Sequence, residues 1–239
     1  MGSRYRAPVG SFIAQFGWNL LVVAGGIAVF ALPFVTVFAL RHRREVRDKR
    51  PHINQFMEFF LVSRESNALV FCWALAEALV WWVIPEFLLV LIVFMKVRHK
   101  VSLLTYDLAG TIVGTIIALT WRLPDELLLR VPYVYPRMLT QTDEWYRKMG
   151  TLALVNQPFS GVPYKVFLAH APTMGFWSAL VFIGFAVVVR LSRYVIGYSV
   201  AVALFPIVHP FVYRNYVRLL IGAVVIFTLL LMRVSAIYS

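Results

Sequence analysis

Glu77, Pro85 and Glu86 stand inside an otherwise apolar stretch, Leu69 to Met95 (LVFCWALAEALVWWVIPEFLLVLIVFM). A carboxylate at bilayer depth costs about 2.5–3.5 kcal/mol on insertion scales. Proline removes a backbone donor that lipid cannot replace. Such features are tolerated together where the backbone lines a cavity inside the protein, so the stretch implies a path for something polar. A straight helix would place the two glutamates on opposite sides. A break near Trp81 to Pro85 lets both face one cavity. Two carboxylates sharing a low-dielectric site favour a proton on one of them, which makes Glu77 and Glu86 a proton-coupling pair. The plainer alternative is that one glutamate pairs with an arginine or caps a helix.

A second interruption, of opposite sign, follows at Asn156 to Lys165 (NQPFSGVPYK). Pro158, Gly161 and Pro163 break the helix, and Lys165 supplies a cation able to hold a phosphate or neutralise a glutamate. Arg190 and Arg193 end the next apolar run, where headgroup binding and membrane topology explain them equally well. Asp107, near the start of another apolar run, fits either a proton relay or a cap. His170 and His209 read as satisfied core residues. No Cys/His cluster has metal-ligand spacing, and neither a nucleophile elbow nor a phosphate-binding glycine loop occurs. The chain is therefore not expected to be an enzyme, and no cofactor or metal is implied. The single cysteine, Cys72, allows no disulfide within one chain.

The elements that position these residues must be membrane helices. Hydrophobic residues make up 61% of the 239 positions, against about 45–50% in soluble domains. The net charge of +12 gathers at the ends of apolar runs, where it sets topology and meets anionic headgroups, which argues against nucleic acid as the partner. Ser11 to Leu40 is the first span and reads as a retained anchor, with Gly25, Gly26 and Pro33 as kink points. It runs into the basic loop Arg41 to Arg50, expected on the cytoplasmic side. Pro51 to Ser66 reads as an interfacial helix with Phe56, Phe59 and Phe60 on one side.

Both flanks of Leu69 to Met95 are basic, so a re-entrant hairpin that enters and leaves on one side is favoured over one tilted span. Val101 to Trp121 is a span carrying Gly110 and Gly114 at the spacing that lets helices approach closely. Arg122 to Met149 is polar and extramembranous. Gly150 to Gly175 forms a second hairpin, and spans follow at Phe176 to Val189, Tyr194 to Phe211 and Leu219 to Met232. The expected fold is all-α and polytopic: about five spans plus two opposed re-entrant hairpins, in the layout of an inverted repeat. Residues 1–65 form the N-terminal span and basic loop, 66–200 the core, and 201–239 the C-terminal helices.

At the two interruptions the chain resembles the DedA (VTT-domain, SNARE-associated) membrane protein family, most closely its small YqaA-like members. Glu77-Ala-Leu-Val-Trp-Trp-Val-Ile-Pro85-Glu86 matches the first family element, and Gly110 and Gly114 stand in the helix that follows. Pro158 to Lys165, then Ala171-Pro172-Thr173-Met174-Gly175, matches the second, with Arg190 and Arg193 after the next helix. Asn156-Gln157 stands where the family carries a Phe-x-Arg arginine, and Ala171-Pro172 replaces its Ala-Gly. The resemblance covers residues 66–200. It implies opposed hairpins and movement of an anionic or phosphate-bearing lipid across the bilayer by a flippase or scramblase, with protons as coupling ion. Glu77, Glu86 and Asp107 would couple, while Lys165, Arg190 and Arg193 would hold the headgroup. It also implies the plasma (inner) membrane if the chain is bacterial; a homo-oligomer is left open. The alternatives are an ion-coupled carrier of small solutes and a non-transporting scaffold with structural ion pairs.

Overall fold

The computed structural model describes residues 9–49, 51–81 and 100–239. Pro85 and Glu86 lie outside these residues. Every regular element described is helical. Three helices are long and apolar enough to cross a membrane: Phe12–Arg41, Ser102–Trp121 and Ala203–Tyr238. A bent pair, Ile53–Val62 with Arg64–Leu79, brings the count to four if it forms one span. This makes the chain compatible with an integral membrane protein.

The surface is inverted relative to a water-soluble domain. Leu21, Val29, Trp177, Val181 and Ile207 are all more than two-thirds exposed, while Glu77, Asp107, Lys165 and Arg190 are buried. Large exposed apolar faces require a non-aqueous neighbour, and lipid supplies one.

Helix α1 (Val9–Arg41) runs through Pro33 without interruption. Its 33 residues make about 50 Å, enough to cross the hydrocarbon with tilt. The basic segment expected as a loop is helical: after a turn at His42, α2 spans Arg43–Lys49. In α3 (Ile53–Val62), Phe56 and Phe60 pack edge-on against Phe38 of α1, with ring centroids 5.6 and 5.5 Å away. Phe59 is 48% exposed and departs from the single aromatic face expected. Ser63 ends α3 and starts α4 (Arg64–Leu79), its hydroxyl accepting from the Ser66 amide at 3.3 Å. The two helices meet at 73°.

Helix α4 ends at Val80, close to the predicted break. It packs along α5 (Lys100–Trp121). A Cβ on Gly110 would collide with the Phe71 carbonyl, and one on Gly114 would sit 2.7 Å from Ala78 Cβ. The G-x-x-x-G pair is therefore the seam of the α4–α5 contact, as its spacing predicts. Asn67 bonds Ser102 at 3.3 Å, and Gly110 and Gly114 sit against residues 71–78, so the two helices run parallel.

Past α5, short α6 (Asp125–Leu128) leads to α7 (Pro136–Met149), whose buried stripe Met138, Leu139, Thr142 and Tyr146 gives it one inward face. A 3₁₀ helix (Gly150–Asn156), α8 (Gln157–Ser160) and α9 (Tyr164–Ala169) follow. Gly161 separates the last two with φ +74°, and a Cβ there would lie 2.9 Å from Val234. Glycine is required twice over, by conformation and by space.

The final element, α10 (Phe176–Tyr238), runs on through Val189, where a span was expected to end, and kinks at Asn215, between the spans expected to end at Phe211 and to start at Leu219. Pro206 and Pro210 lie inside it, because neighbouring helices can re-satisfy carbonyls that a proline frees. Its one non-helical residue is Asn215. There α10 doubles back: Arg190 touches Glu77, Asn54 of α3 donates to the Tyr213 carbonyl at 2.8 Å, and Tyr238 returns to the Ser160 carbonyl at 2.8 Å. The basic end of α1, the starts of α4 and α5, and the Arg214–Arg218 turn thus share one end of the molecule. The polar segment 122–149 and the 157–163 break occupy the other.

Candidate functional site

The buried charges converge at that second end. Glu77 is on the last turn of α4, in the inward stripe Val70, Trp73, Ala74, Glu77 and Ala78. Arg190 continues the inward face of α10 set by Phe182 and Ala186, each four residues on. Arg190 Nη2 donates to Glu77 Oε2 in an ion pair whose members are 1% and 5% exposed. The guanidinium also lies over the Tyr164 ring, 4.8 Å from its centroid, which offsets part of its desolvation. The Tyr164 hydroxyl is 2.9 Å from Thr115 Oγ1 on α5. Thr115 donates its own hydrogen to the Thr111 carbonyl at 2.7 Å, so Tyr164 is the donor between them.

Lys165, the residue after Tyr164, is 1% exposed and donates from Nζ to the Trp81 carbonyl at 2.7 Å. That carbonyl lies just beyond the end of α4, where backbone acceptors have no intrahelical partner. The two expected interruptions therefore meet: the cation of the second binds the broken backbone of the first.

Beside this cluster is a cavity of about 520 Å³. Glu77 and Trp81 line it from the α4 end, Gln157 to Pro163 from the break, and Phe227, Leu231 and Val234 from the returning arm of α10. Tyr133 and Arg233 complete its polar lining. Burial pushes the Tyr133 phenol up to about 12, with Tyr135 adding to the effect, so it remains a neutral donor, to Asn19 Oδ1 at 2.8 Å. Burial likewise raises Tyr146 above the ordinary phenol range, and it donates to the Phe167 carbonyl at 2.8 Å, fixing α9 against α7.

Of the residues singled out from sequence, Glu77, Lys165, Arg190, Pro158, Gly161 and Pro163 come together here. Asp107 is fully buried on α5 rather than at its edge, eight residues or about 12 Å along the helix from Thr115, and does not line the cavity. It heads a polar stripe with Thr111 and Thr115, all on one face. Arg193 lies on α10, with its side chain outside the described residues. His170 is held outside the cluster, hydrogen-bonded through Nδ1 to Asp143 at 2.7 Å, with Nε2 3.1 Å from Asp125. His209 stacks on Phe205 at 4.6 Å. Among the described residues, no group of three His, Cys, Asp or Glu could hold a metal. Sequence reading missed Arg233 and Tyr133 and gave Trp81 and Tyr164 no role beyond the breaks; for Arg233 the available signal was a lone cation directly after the last apolar run.

Comparison with family models, curated proteins and solved structures finds no match to this chain.

Proposed function

We propose that the protein moves an anionic, phosphate-bearing lipid across the membrane, as the DedA resemblance implies, with a proton as coupling ion. The observation that carries this reading is the Glu77–Arg190 pair beside Lys165, at the wall of a cavity open to the helix break. An anionic headgroup that enters beside Glu77 competes with its carboxylate for Arg190. Displaced, Glu77 would be a buried charge without its ion-pair partner, a state that costs several kcal/mol. Taking up a proton removes that cost, so anion binding and protonation of Glu77 are linked. Lys165 adds a second cation once its Nζ turns from the Trp81 carbonyl, and Arg233 offers an entry point at the exposed side of the cavity.

Parallel α4 and α5 place Arg64 and Lys100 at one end of the pair. This supports a hairpin between them that starts and finishes on the same side. The buried Asp107–Thr111–Thr115 stripe favours a route for the coupling ion.

The test is translocation of acyl-labelled phosphatidylglycerol and phosphatidylcholine in proteoliposomes, with proton flux read in the same vesicles. The expected result is faster movement of the anionic lipid, lost in Lys165→Met, with inward proton flux only while lipid moves. Anionic-lipid movement no faster than in protein-free vesicles overturns the reading. Proton flux independent of lipid points instead to a solute carrier.

A further inference from the structure

At the opposite end of α4, Glu65 is 7% exposed and is met by Arg41 Nη1 at 2.5 Å. Two adjoining cavities of about 420 and 440 Å³ share Arg41, Arg64 and Glu65. Pro33, Phe34 and Val37 of α1 wall the first, with Ala68 of α4 opposite; Phe38, Phe59 and Val62 wall the second. Arg43, Arg44 and Arg47 of α2 are exposed just beyond. His42 and Glu45 also line the second cavity. Arg41 neutralises Glu65 and one further arginine offsets Glu45; Arg64, Arg43 and Arg44 still leave this end of the groove net cationic.

We infer that this groove is a binding site for one phospholipid of net negative headgroup, separate from the translocation cavity. The order of chemistry along α1 carries the inference. Phe34 and Val37 form an apolar wall, and Arg41 follows seven residues after Phe34, a rise of about 10 Å. Acyl chain followed by phosphate has the same order over a similar distance. The groove opens at the end of a helix long and apolar enough to span a bilayer, where headgroups would lie. A soluble anion would use the arginines and leave the apolar wall empty; a zwitterionic lipid would fill the wall and gain little from the charges. About 18 Å along α4 separates Glu65 from Glu77, so the site does not depend on the proposed transport.

The test is lipid retention by the full chain, extracted in mild detergent, incubated with phosphatidylglycerol or phosphatidylcholine and examined by native mass spectrometry. One retained phosphatidylglycerol per chain is expected, in preference to phosphatidylcholine. Arg64→Gln, which leaves the Arg41–Glu65 pair intact, should weaken retention about fivefold, the usual contribution of one interfacial cation. Val37→Trp should fill the apolar wall and abolish retention while melting as the wild type does. Equal retention of both lipids overturns the proposal, and so does unchanged retention in both variants. Inorganic phosphate that displaces the lipid at millimolar concentration also contradicts it, since the arginines alone would then suffice.

Discussion

The Glu77–Arg190 pair permits a quantitative test by double-mutant cycle. Arg190→Met leaves Glu77 charged without its ion-pair partner in a site only a few per cent exposed, with Lys165 the cation still nearby, and breaking such a pair costs about 3–5 kcal/mol. Glu77→Gln leaves the Arg190 guanidinium, 1% exposed, without its counter-charge but with an amide acceptor, so it should cost about 3 kcal/mol, the low end of the same range. Glu77→Gln with Arg190→Met removes both charges, and an uncharged pair in the same volume is often neutral or even stabilising. The double variant should therefore be more stable than Arg190→Met alone, with a coupling energy above about 2 kcal/mol. That threshold matters, because hydrogen bonds between membrane helices average only about 0.6 kcal/mol and reach about 1.7. Unfolding in mixed micelles at graded denaturing detergent gives all four corners of the cycle. A coupling of 0.6 kcal/mol or less would refute the reasoning, since the two side chains would then be no more than ordinary neighbours.

Other substitutions probe the positioning elements. Gly114→Ala should lose about 1–3 kcal/mol, because the new methyl meets Ala78 Cβ at 2.7 Å and the Leu75 carbonyl at 3.0 Å; denaturant midpoints measure it. Gly161→Ala should cost about 1–2 kcal/mol for its positive φ plus a clash with Val234, and Val234→Ala in that background should recover the clash alone. A full recovery in that melting experiment would show that φ carries no strain. His170→Phe should lower stability by no more than about 1 kcal/mol, because Asp125 and Asp143 are exposed and water replaces the lost contacts, and limited proteolysis should then find faster cleavage within residues 122–135.

The local parts of this structure were legible in the sequence. The first span was expected at Ser11 to Leu40 and is Val9–Arg41; the glycine-bearing span was expected from Val101 and starts at Lys100. Apolar length and flanking charge set both. The turn at Gly161 follows from residues that cannot continue a helix, whereas α4 ends after Leu79, ahead of the Trp81 to Pro85 break that was expected. What did not show was pairing across distance. Arg190 is 113 residues from Glu77, and the end of an apolar run explained it equally well by topology. That alternative fails because α10 does not end there. Pro206 and Pro210 lie within the helix, and the reversal comes at Asn215, beside the Tyr213 carbonyl that accepts from Asn54 of α3. Arg233 was hidden for the same reason: only that reversal brings it to the cavity. Phe59 misled because the aromatic spacing in α3 fits a single face, while Phe56 and Phe60 pack on Phe38 and Phe59 stays half exposed.

The most direct measurement of the central claim is anionic-lipid translocation by the Glu77→Gln, Arg190→Met double variant, at matched protein density in phosphatidylglycerol-containing proteoliposomes. The variant should fold and melt as the stability cycle predicts. It should translocate phosphatidylglycerol no faster than empty vesicles, because it can neither hold the headgroup at Arg190 nor take the linked proton. Translocation at the wild-type rate would contradict the account, leaving the pair as a structural tie.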